Sequence, residues 1–114
     1  MYQCRITVVD TAFNHALAAQ LNAADDGPCP LYQPGKSWTI THYGRPLDFC
    51  EQAWTCVHRF VYAILSGAGE KLGGRWMENG RRMYASCSDG MRITVFLLER
   101  LDEKPMETEK EDAQ

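Results

Sequence analysis

The chain has 114 residues, 45% of them apolar, and a formal net charge of −3. That length supports one hydrophobic core without disulfide or metal staples. No stretch approaches the roughly 18 apolar residues of a membrane span, so no membrane partner is expected. Asp10 and Asn14 interrupt the only apolar run near the start, which does not read as a secretory signal. Five cysteines, an odd count, favour reduced thiols in a cytoplasm over a disulfide framework. Six acids against two lysines give residues 102–114 a charge of −4, leaving about +1 on the remainder. The tail therefore reads as acidic and disordered, and residues 1–101 as a single α+β domain. A near-neutral body is not the basic surface that nucleic-acid binding requires.

In chain order, Tyr2 to Val9 alternates, with Cys4, Ile6 and Val8 on one face, which predicts a strand. Asp10 or Thr11 is placed to cap a short amphipathic helix over Ala12 to Leu21. Gly27-Pro28-Cys29-Pro30 cannot be regular structure, because two prolines stiffen the backbone around Cys29. Pro34-Gly35 reads as a tight turn, and Lys36 to Tyr43 alternates as a second strand.

Asp48, with Glu51 three residues on, predicts a capping box opening the main helix, which runs to about Ser66. Wound at 100° per residue, Phe49, Cys50, Ala53, Trp54, Val57, Phe60, Val61, Ile64 and Leu65 share one half of its circumference. So wide an apolar face predicts a helix lying across a sheet, capped at its end by Gly67. Arg82 to Cys87 and Arg92 to Arg100 read as the last two strands, with Asp89-Gly90 as a two-residue type I′ hairpin between them. Apolar residues on both faces of the fourth strand suggest a central position covered on both sides. The expected order is β-α-β-α-β-β: a small mixed four-stranded sheet with helices packed on it.

Thr11-Ala12-Phe13-Asn14, Gly27-Pro28-Cys29-Pro30 with Gly35, Phe49-Cys50-Glu51-Gln52-Ala53-Trp54, and Cys87-Ser88-Asp89-Gly90-Met91-Arg92 with Val95-Phe96 and Glu99-Arg100 occur in that order. Together they resemble a family of small cysteine-bearing prokaryotic proteins, common in anaerobes and known as an uncharacterised repeat family. The resemblance covers about Tyr2 to Leu101 and implies no settled activity. It marks Cys29, Cys50 and Cys87 as motif positions. Ile93 and Thr94 stand where that family often has a proline after its last motif.

The cysteines lie 25, 21, 6 and 31 residues apart, so no Cys-x-x-Cys pair is present. Cys50 and Cys56 fall about 240° apart on the helix and cannot grip one ion together. A site would draw Cys29 from its loop, Cys50 from the helix start and Cys87 from a strand end, with Cys4 or a histidine, His42 first, as a further ligand. Such a set suits Zn²⁺ or an iron–sulfur centre. The second class is thiol redox or covalent chemistry at Cys50, where a helix N-terminus lowers a thiol pKa and burial raises it. The bland alternative is a small-molecule or protein-binding domain whose cysteines are ordinary core residues. Arg75, Arg81, Arg82 and Arg92 are candidates for an anion-binding rim, and a homo-oligomer is a further option. No Ser-His-Asp order or phosphate-binding glycine loop occurs, so the residues name no reaction.

Overall fold

A computed structural model describes residues 1–69, 71 and 81–101. Four strands and two helices follow in the order β1 (Gln3–Phe13), α1 (His15–Gln20), β2 (Ser37–Ile40), α2 (Glu51–Ser66), β3 (Arg82–Ser86) and β4 (Arg92–Leu101). The strands form one sheet in the order β2-β1-β4-β3. Every neighbouring pair is antiparallel, so the α+β class stands while the mixed sheet is corrected to an antiparallel one. The acidic tail at 102–114, together with Arg75, Trp76 and Met77, lies outside the described residues.

Alternation decides which face is buried. Cys4, Ile6 and Val8 of β1, Trp38 and Ile40 of β2, Met83 of β3, and Phe96 and Leu98 of β4 all point to one side. Over them lies α2, burying Ala53, Val57, Phe60, Val61, Ile64 and Leu65. On the opposite side Val95 and Leu97 remain partly exposed. β4 is central, as its apolar run suggests, but its burial alternates instead of being complete on both faces. Trp54, His58 and Tyr62, spaced by four, stack along the flank of α2, and Tyr43 sits edge-on against Tyr62.

β1 runs four residues past its expected end. Its register with β4 shifts between Val8 and Asp10, which leaves Val9 as a bulge. Since side chains alternate, one inserted residue reverses the faces, and beyond it Thr11 and Phe13 share the α2 side with their partners Thr94 and Arg92. Pairing with β4 therefore claims Thr11–Phe13 for the strand, and α1 starts later than expected. Asn14, not Asp10 or Thr11, is its cap, with Oδ1 accepting the Leu17 amide at 3.0 Å.

The start of α2 also differs from the expected capping box. Cys50 is the N-cap and its side chain makes no capping bond. Asp48 instead accepts the Trp38 indole N–H at 3.0 Å and pairs with Lys36 at 3.3 Å. Glu51 turns to Arg45, whose guanidinium also donates to the Phe49 carbonyl at 2.6 Å. Tertiary partners have outcompeted the local box for both carboxylates. Gly67 does end α2 in the left-handed region, with φ 84°.

Candidate functional site

A cavity of about 420 Å³ opens where α2 begins, beside the Cys29 loop and the turn joining β3 to β4. Cys29, Cys50 and Cys87 all line it, along with Tyr32, Thr94 and Arg92. The three thiols are half-buried and unpaired as disulfides. Cysteines up to 58 positions apart in the chain thus meet around one space.

Each cysteine is held beside an aspartate that clamps its segment. Three residues before Cys29, Asp26 accepts two bonds from the Arg92 guanidinium, at 2.7 and 3.2 Å. Two before Cys50, Asp48 ties the approach to α2 onto β2 through Trp38. Two after Cys87, Asp89 accepts the Met91 and Arg92 amides at 2.8 and 2.9 Å. That last arrangement replaces the expected type I′ turn, which demands positive φ at both central residues; Gly90 is not in that region. The aspartate, by collecting two amides, shapes a wider turn. All three carboxyls are held below their usual range: Asp26 by Arg92, Asp48 by the Trp38 indole and then Lys36, Asp89 by the amides of Arg92 and Met91.

The backbone of Cys50 is fixed from the Cys29 side. Its N–H donates to the Tyr32 hydroxyl at 2.6 Å. The Tyr32 ring packs among Trp38, Phe49 and Phe96, and burial pushes its phenol pKa up, so it stays protonated at neutral pH. The Cys87 sulfur receives the Thr94 amide at 3.3 Å and faces the Arg92 carbonyl at 3.7 Å.

The other expected site residues lie elsewhere. Cys4 is completely buried in the core, opposite Arg100 on β4, six strand residues from Thr94, a separation of roughly 20 Å. Burial pushes its thiol pKa up to about 12. Arg81 and Arg82 lie at the far end of the hairpin, where Arg82 pairs with Glu99 and the Arg100 amide bonds the Arg81 carbonyl. Among the described members of that set, Arg92, at the opposite end of β4, joins the cavity. His42 is exposed beside Thr41, and His15 pairs with Asp25 at 2.8 Å. Cys56 borders a second, open groove of about 710 Å³ between α2 and β3, which Cys87 also reaches.

Tyr32 and Thr94 carry no signal in the sequence, because neither belongs to a motif and each acquires its role from a partner distant in the chain. Among the described residues, no group of three or more His, Cys, Asp or Glu side chains is gathered as a metal ion requires. Cys29, Cys50 and Cys87 share the cavity wall without forming such a cluster. Comparisons with family models, with curated proteins and with solved structures give no match.

Proposed function

We propose that this protein acts through thiol chemistry in the cavity, holding a small thiol-reactive molecule against Cys50. The observation that carries the reading is the convergence of Cys29, Cys50 and Cys87 on one space from three separate elements. Three ordinary core cysteines would each be wrapped in hydrocarbon, as Cys4 is. Cys50 sits at the start of a 16-residue helix, whose first-turn amides have no acceptor within the helix. Cys29 and Cys87 flank it as candidates to resolve or stabilise an adduct. The test is the rate of iodoacetamide alkylation on reduced protein, mapped residue by residue by mass spectrometry. Cys50 is expected to be labelled several-fold faster than Cys56 on the same helix. Equal rates at the two cysteines overturn the reading.

A second reading, a Zn²⁺ or iron–sulfur centre on the same three cysteines, is favoured by the N–H bond into the Cys87 sulfur, a contact common to bound thiolates. It requires the sulfurs to draw together, since zinc–sulfur bonds are about 2.3 Å. Protein purified without oxygen would carry about one zinc or one cluster per chain, lost in Cys50→Ser. Metal-free material that takes up neither ends this reading and leaves the first intact.

A further inference from the structure

The cavity contains a buried polar group that no atom of the described residues satisfies. Thr94 is 1% exposed, it lines the cavity, and among the described residues its hydroxyl has no hydrogen-bond partner. A hydroxyl buried in this way carries a free-energy penalty unless something in the space beside it makes the bond. Its backbone is not at fault, because the Thr94 amide and carbonyl are both engaged with Cys87, at 3.3 and 3.0 Å. The side chain alone is left over, on the α2 side of β4.

Across the space stands a second set of donors. The first-turn amides of α2 have no acceptor within the helix, and the Cys50 side chain does not cap them. Gln52 and Ala53, from that first turn, line the same cavity. Amides at a helix start and a spare hydroxyl together form a donor set for an oxyanion.

We propose that the cavity binds a small monocarboxylate, its carboxylate seated between the Thr94 hydroxyl and the first turn of α2, its apolar body against the thiols. Charge selects this class over a phosphate. Arg92 is the cation on the wall, but Asp26 already takes its Nε and Nη2 protons, and Asp89 adds a carboxylate to the same wall. That leaves support for one negative charge and little for two. Cys29, Cys50, Tyr32 and Ala53 offer the apolar surface that a short acyl chain prefers.

The inference rests on the thiol reading for its biological meaning, but its test needs no reactive thiol. Saturation-transfer NMR on the whole chain compares propionate with propionamide, which differ in charge and hardly in size. Propionate is expected to bind saturably and roughly tenfold more tightly than the amide, as a charge-assisted bond requires. Thr94→Ser retains the preference and Thr94→Val removes it. Equal binding of the two probes, or no binding of propionate to the unaltered protein, overturns the proposal. Either result leaves the alkylation rate of Cys50 to stand or fall alone.

Discussion

Tyr32 shows how much one side chain can settle in a small domain. Its ring fills the core among Trp38, Phe49 and Phe96, and its hydroxyl, the polar tip, reaches the amide of Cys50. Packing and polar satisfaction are therefore combined in one residue, and they can be separated by substitution. Tyr32→Phe keeps the ring and leaves the Cys50 N–H without its acceptor. A loss of about 1–2 kcal/mol in urea denaturation is expected, with faster exchange of the Cys50 amide proton. Unchanged stability and exchange would mean that solvent replaces the hydroxyl freely. Cys4 and Cys50 illustrate the same dependence on surroundings, since one residue type is inert core at one position and borders a cavity at the other.

At the scale of elements, α2 and the hairpin show two different kinds of glycine. Gly67 ends α2 at φ 84°, and a Cβ built there would lie 3.3 Å from the Tyr2 ring. Gly90, in a sequence that reads as a tight hairpin, has no positive φ and open space around it. Gly67→Ala should cost about 1 kcal/mol or more, through backbone strain and the Tyr2 contact. Gly90→Ala should stay within about 0.5 kcal/mol. Thermal denaturation of the two variants checks the contrast, and a reversed order would restore the type I′ turn. The difference comes from Asp89, whose carboxylate, not a left-handed glycine, organises the chain reversal.

Across the whole molecule, Asp26, Asp48 and Asp89 fasten the three cysteine-bearing segments, and acid should loosen all three. Each carboxyl lies below its ordinary value of 3.8 in the folded protein. The folded state thus binds these protons less readily than the unfolded chain. The stability they contribute is whole above about pH 4 and is lost as pH falls through the lower folded values. All three are solvent-facing, so each contribution is modest and screened by salt. Urea midpoints measured from about pH 5 to about pH 3 should fall more steeply in the native protein than in the triple variant D26N/D48N/D89N. Parallel curves would show that the clamps contribute nothing to acid stability.

Local pattern determined a good deal of this protein by itself. The period-2 runs around Ile6, Trp38 and Phe96 marked the strands, the wide apolar half of Ala53 to Leu65 marked the covering helix, and Gly67 marked its end. Those features depend on spacing between near neighbours, which the order of residues records directly. Tertiary structure decided the rest, because the competition was between partners far apart in the chain. Asp48 chose Trp38 over the helix amides, β4 drew Thr11–Phe13 into β1 across a bulge, and Thr94 came to face the first turn of α2. A single register shift at Val9 reversed the faces of everything beyond it. No local pattern could announce that shift, since its cause is the pairing with a strand some 80 residues away.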